Sequence, residues 1–196
     1  MFKPGLILGA FALVALLLLS WVQATTRDTI SENREARRLQ QLQRVIPPAY
    51  GQVAVNERQQ FDLGVQGFGR VLQVYPVMKA GQHTANVIEI DSLQGYSGLI
   101  RVLVAVNANQ QIAGAQVLEH RETPGLGDFI DSDKSDWITQ FIGASLMQPT
   151  ITQWSIKKRG GQFDQLTGAT ISSMAVLNAV RQILELSTAS AARGTQ

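Results

Sequence analysis

Hydroxyl-bearing residues crowd one stretch of the sequence, Asp164-Gln165-Leu166-Thr167-Gly168-Ala169-Thr170-Ile171-Ser172-Ser173. Just beyond its start Met174, Leu177, Val180 and Leu184 recur at three- and four-residue spacing, which predicts an amphipathic helix over Thr170–Ser187. The hydroxyls therefore stand where a helix begins. A helix start presents amides that have no intrahelical acceptor, together with the positive end of the peptide dipole, and both favour a phosphate. Gly168 lets a ligand come close, and no acidic side chain interrupts Thr167–Ser173. The same residues also suit an ordinary N-cap in which Thr167, Thr170 or Ser172 accepts a backbone hydrogen bond. The residue types fit a phosphate site and a cap alike.

A second stretch with chemical potential is His120-Arg121-Glu122-Thr123-Pro124-Gly125-Leu126-Gly127-Asp128. Within it Thr123-Pro124-Gly125-Leu126 suits a type II turn, proline fixing the second position and glycine taking the positive φ of the third. Such a loop can offer backbone amides to a planar ligand, or it can be a plain solvated connection. His120 and Glu122 could form an acid/base pair, yet no serine or cysteine nucleophile motif accompanies them, so hydrolysis is not expected. A third stretch, Gly95-Tyr96-Ser97-Gly98, places small residues and one aromatic at the start of a strand. Tyr96 could line a cleft or belong to the core.

Composition narrows the chemistry further. The 196 residues include no cysteine and two histidines, His83 and His120. Disulfides, thiolate zinc sites, iron–sulfur clusters and C-x-x-C-H haem attachment are thereby excluded, as is a site of several histidines. Any electron transfer must come from a bound organic cofactor. The 17 basic and 15 acidic side chains give a net charge of +2, but the basic residues are scattered among Asp and Glu. There is no basic stripe with interleaved aromatics, so nucleic acid is not an expected partner.

The elements that must position these residues follow from periodicity. Short β-rich runs cover Arg70–Met78, Thr84–Ile90, Ser97–Asn107 and Gln111–Glu119, with hairpin turns at Lys79–Gln82 and Asn107–Gln110. Ile100, Val102, Val104 and Val106 alternate with Leu99, Arg101, Leu103, Ala105 and Asn107, so one face is uniformly apolar and must be covered. A helical segment near Lys134–Ser145 and the C-terminal helix are available to cover it. The expected class is α+β, an antiparallel sheet packed by helices, preceded by one N-terminal transmembrane helix.

That helix is read from the charge-free interval between Lys3 and Arg27, where Gly5–Val22 is rich in Leu, Ala, Val and Phe. Its length is about the ~20 residues that cross a bilayer core, and Trp21 sits where an indole would meet the interface. A cleaved signal peptide is the alternative, with Val22-Gln23-Ala24 as the cleavage site, but the apolar run exceeds the usual ~7–15 residues. Thr26–Val45 holds neither Pro nor Gly and carries Ile30, Leu39, Leu42 and Val45/Ile46 as a loose apolar stripe, so an exposed helix continues from the span until Pro47-Pro48 stops it. The resulting organisation is an anchor over 1–25, a connecting helix over 26–50 and a folded domain over 51–196. By count of Lys and Arg, Lys3 lies before the span and Arg27, Arg34, Arg37 and Arg38 follow it, a bias that would retain the domain in the cytoplasm.

The run Thr167-Gly168-Ala169-Thr170 resembles the [ST]-G-A-T attachment motif of the FMN-binding domain found in the G component of the Rnf electron-transport complex and in the C component of the sodium-pumping NADH:quinone reductase. The loop Glu122–Gly127, 45 residues earlier, resembles the family's second signature. Gly95-Tyr96-Ser97-Gly98 and the single N-terminal span match as well, and the short length resembles the Rnf component. The resemblance implies FMN bound covalently through its phosphate to Thr170 Oγ, a linkage installed by a separate flavin transferase. It implies that Thr167, Gly168 and Ala169 lie against that phosphate, and that Glu122, Thr123, Gly125 and Leu126, with Tyr96, lie near the isoalloxazine ring. Lys157 and Lys158 are candidates to offset phosphate charge. No G-x-G-x-x-G turn joins a strand to a helix, so direct hydride transfer from NADH is not expected.

What the resemblance implies is a membrane-anchored electron carrier, part of an Rnf-type ion-translocating oxidoreductase complex, without independent catalysis. Its partners would be the other membrane proteins of that complex, and its flavin domain would face the periplasm from the inner membrane, against the charge count. Two other functions fit the residues: a flavin-bearing membrane sensor or relay outside any ion pump, and a cofactor-free envelope scaffold. No metal site is expected.

Overall fold

The computed structural model describes residues 3–60 and 68–193. Two compact units divide the chain, one over Met1–Gln40 and one over Gln41–Gln196. Helix α1 runs over Lys3–Arg44. It ends, as the sequence predicts, just before Pro47-Pro48, which cannot supply helical donors. Leu8, Phe11, Leu16 and Leu19 are all more than 60% exposed. The side chains of Lys3, Arg27, Ile30, Arg34 and Arg37, on which the orientation and stripe arguments draw, lie outside the described residues. Among the described residues no helix is long and apolar enough to cross a membrane, so the span expected over Gly5–Val22 rests on the sequence.

In the second unit a six-stranded antiparallel sheet forms from β1 (Gln52–Val53), β2 (Gln59–Gln60), β3 (Gly69–Lys79), β4 (Gln82–Gly95), β5 (Gly98–Asn107) and β6 (Ile112–Glu119). The order across the sheet is β1-β3-β4-β5-β6, with β2 also paired to β3. Both expected hairpin turns are present. Ala80 and Gly81 take positive φ between β3 and β4, and Gln110 does so between β5 and β6. The α+β class is therefore observed.

Ile88, Ile90, Ile100, Val102, Val104 and Val106 form the expected apolar face, and helix α2 (Thr170–Arg193) covers it with Val176, Leu177, Val180, Ile183 and Leu184. Phe141, Trp154 and Phe163 close one side of this core, the last two rings 4.7 Å apart between centroids. The opposite face is covered too, which the alternation does not predict. Tyr75, Val77, Val87, Leu103 and Ala105 pack there against Leu42, Val45 and Ile46 from the end of α1 and just beyond it. The sequence pattern puts those three residues on an exposed helix; they are buried.

Two boundaries differ from expectation for identifiable reasons. Strand β4 continues past Ile90 to Gly95 because its polar residues are buried with partners. Arg101 Nε donates to Asp91 Oδ1 at 2.7 Å, and Ser92 Oγ donates to the Ala175 carbonyl at 3.1 Å. This pairing, mostly with Asp91, raises the Arg101 pKa above its ordinary value despite desolvation. Over Lys134–Ser145 only a 3-10 turn forms, Trp137–Phe141. The chain there leaves the helical path so that Gly143 N–H donates to the Ile112 carbonyl at 2.8 Å and Ile112 N–H donates to the Ala144 carbonyl at 2.9 Å. Backbone bonds to the start of β6 outweigh local helical propensity.

Candidate functional site at the start of helix 2

Three segments far apart in sequence converge at the N-terminus of α2: the tip of the β4–β5 hairpin, the loop that leaves β6, and the turn that enters the helix. Glu122 joins them. Its side chain is 4% exposed, Oε1 accepts from the Ser97 amide at 3.1 Å, and Oε2 accepts from Ser172 Oγ at 2.6 Å. The start of α2 holds no acidic residue of its own, yet this carboxylate is supplied to it from 50 residues away. A buried carboxylate with both oxygens accepting is a satisfied one.

The loop after Glu122 adopts the expected turn. Leu126 N–H donates to the Thr123 carbonyl at 3.2 Å and Gly125 takes φ +76°, a value that disfavours any side chain. Gly127 then passes so close to the helix that a Cβ on it would lie 2.9 Å from both Glu122 Cβ and Ser172 Oγ. The turn is anchored from behind by Asp128, which is buried and ion-paired with Lys134. That lysine holds the Asp128 carboxyl below the usual carboxylate range.

At the helix start the cap reading can be tested hydroxyl by hydroxyl. The first helical bond runs from Ser173 N–H to the Ala169 carbonyl at 3.0 Å, so Ala169 occupies the N-cap position and has no side-chain oxygen to offer. Ser173 Oγ donates to that carbonyl and accepts from the Leu166 amide, both at 2.9 Å. Ser172 is turned to Glu122. Thr167 is exposed and Thr170 partly exposed, and neither hydroxyl is bonded among the described residues. The amides of Thr170, Ile171 and Ser172 likewise meet no acceptor among the described residues. None of the three hydroxyls that suit a cap caps the helix.

The remaining candidates fall into place around this junction or away from it. Gly168, at φ +78°, lies under Leu126, whose Cδ2 is 3.1 Å from where a Cβ would stand. Leu126, a candidate ring contact, is 47% exposed, and Ile171, which the sequence reading passes over, is 52% exposed. Tyr96, a candidate for the core, is 69% exposed at the hairpin tip. Thr123 is exposed. Lys157 pairs with Asp164 at 2.8 Å and so has a carboxylate of its own, while Lys158 is exposed. His120 does not form an acid/base pair with the Glu122 carboxylate; its Nδ1 instead accepts from the Glu122 amide at 3.2 Å. Sequence reasoning does not find Ser97 and Ser172 as the partners of Glu122, because nothing local marks a bond of this separation. Among the described residues no group of His, Asp and Glu could hold a metal ion.

The class follows from comparison at this point. A family model described as FMN-binding domain matches residues 95–185, which take in the hairpin tip, the loop and the start of α2. A second, described as RnfG N-terminal region, matches residues 1–45. The G component of the ion-translocating oxidoreductase complex of Cronobacter sakazakii is 39% identical over 183 residues, 92% of this chain and 86% of that one. The protein of the same name from Vibrio vulnificus is 36% identical over 184 residues, 93% and 87% of the two chains. That from Pseudomonas aeruginosa is 38% identical over 186 residues, 94% and 87%. The chain belongs to the family of G components of ion-translocating oxidoreductase complexes, and the resemblance read from its two signatures is borne out.

Proposed function

We propose that this protein is the FMN-bearing electron carrier of an ion-translocating oxidoreductase complex, held at the membrane by α1, with its flavin esterified through phosphate to Thr170 Oγ. The carrying observation is the combination at the start of α2 of an unbonded Thr170 hydroxyl and an uncapped set of amides. A phosphate ester on Thr170 sets its oxygens beside those amides and the positive end of the helix dipole. The residues fit the group: Gly168 keeps the approach open, Ala169 adds no competing oxygen, Thr167 is free to donate, and the Thr123–Leu126 turn with Tyr96 supplies exposed surface for a planar ring. When bound, FMN supplies one- and two-electron chemistry that a cysteine-free chain lacks.

This reading assigns the chain an electron-relay role within an oxidoreductase complex whose other proteins are its partners, and makes a flavin transferase its modifying enzyme. Its test is an intact mass. The chain co-expressed with a flavin transferase is expected to be heavier by one FMN residue and to stay yellow-fluorescent after denaturation. An unmodified mass would sink the assignment and favour a cofactor-free scaffold.

The anchor is read from the sequence, from the apolar run Gly5–Val22 within the charge-free interval between Lys3 and Arg27. We place the flavin domain in the periplasm, as the family resemblance implies, although the Lys and Arg count points the other way. With no native cysteine, a single Arg38→Cys substitution provides the only thiol in the protein. Labelling in intact spheroplasts by a membrane-impermeant maleimide is the expected result. Labelling only after the inner membrane is permeabilised would reverse the orientation and move the electron path to the cytoplasmic side.

A further inference from the structure

We infer that Glu122 is a specificity-determining residue of this site: its buried carboxylate, fixed within the first turn of α2, disfavours a free, doubly charged phosphate and leaves the singly charged diester of a tethered flavin as the form that fits. The inference rests on the reading of the site given above.

The geometry puts a charge where an anion would bind. Ser172 is the third residue of α2, and its hydroxyl donates to Glu122 Oε2 at 2.6 Å, so the carboxylate lies within one helical turn of the unpaired Thr170, Ile171 and Ser172 amides. The second oxygen is fixed by Ser97 N–H at 3.1 Å, and at 4% exposure water screens the group poorly. The helix field that would hold a phosphate is thus already partly answered by Glu122. A phosphate monoester carries about −1.5 to −2 charges at neutral pH, whereas a diester carries one. Repulsion from Glu122 is therefore about one and a half to two times as large for free FMN as for the ester. Of the two lysines that are candidates to offset it, Lys157 is engaged with Asp164 and Lys158 is exposed, where solvent and salt screen its charge. A flavin already tethered through its phosphate is then the form the site holds, and free FMN does not occupy it beforehand.

The experiment uses the full chain in detergent, expressed without a flavin transferase and titrated with FMN and with riboflavin, which has the ring and no phosphate. Wild type is expected to bind FMN no more tightly than riboflavin. Glu122→Gln, nearly isosteric and checked for folding by circular dichroism, is expected to gain about fivefold for FMN, on the scale of one charge at a helix terminus, with riboflavin unchanged. A wild-type preference for FMN of tenfold or more overturns the inference whatever the variant does. So does an FMN affinity that the substitution leaves unchanged or lowers, an equal gain for both flavins, or an absence of measurable FMN binding by folded Glu122→Gln. Covalent loading of wild type by the transferase is a separate measurement. Its failure removes the reading of the site, while the FMN-to-riboflavin ratios bear on Glu122 alone.

Discussion

Thr170→Ala, co-expressed with a flavin transferase, is expected to carry no flavin through a denaturing gel, while wild type and Thr167→Ala remain fluorescent. The expectation is close to all-or-none because the bond is covalent and the rival hydroxyls at the start of α2 are engaged. Ser172 Oγ is held by Glu122, and Ser173 Oγ both donates to Ala169 and accepts from Leu166. Each of these serines is at most 1% exposed. Thr167 is free of such bonds among the described residues but precedes the helix, which begins at Thr170, the position that matches the attachment threonine of the motif. The substitution leaves the fold intact, since Thr170 makes no side-chain bond among the described residues and alanine is a good helix former. Covalent flavin on Thr170→Ala, at any position, would refute the attachment site.

Much of this site is legible in the sequence because it is built from local signals. Alternation places the four long strands, a three- and four-residue rhythm places α2, and hydroxyls with glycine mark its start at Thr170, where the helix does begin. Pro124-Gly125 dictates its turn for reasons of backbone sterics alone. What the sequence hides is long-range. Glu122 reads as a ring contact or an acid, and only the fold reveals it as the link between Ser97 and Ser172. Asp91 and Ser92 read as a strand end because polar residues are costly to bury, and their partners Arg101 and Ala175 lie on other elements. The helix expected over 134–145 is lost to backbone bonds with Ile112, and the second core under Leu103 and Ala105 needs the end of α1 to cover it. Propensity and periodicity carry no information about such partners.

The same distinction sets the expected outcome at two glycines of the loop. Gly125→Ala meets open space, since nothing stands within 4 Å of its Cβ position, so its cost is the strain of φ +76° alone, about 1–2 kcal/mol. Gly127→Ala faces no such backbone strain but has no room. Its Cβ would stand 2.9 Å from Glu122 Cβ and from Ser172 Oγ, and 3.0 Å from Glu122 Oε2. Neither neighbour is the loose end of a solvent-exposed chain, because both residues are buried. The loop must therefore lift off α2 or Glu122 must release Ser172, and either opens the junction that gathers the hairpin tip, the loop and the helix start. The expected loss is about 1–3 kcal/mol of stability, a fall of several degrees in Tm for a domain of this size, together with most of the covalent flavin. Gly125→Ala is expected to keep its flavin, with a changed absorption or reduction potential as the turn shifts under the ring. Thermal unfolding and in-gel fluorescence of the two variants read both quantities. A Gly127→Ala protein as stable and as fully flavinylated as wild type would mean that the contact between this loop and α2 does not organise the site.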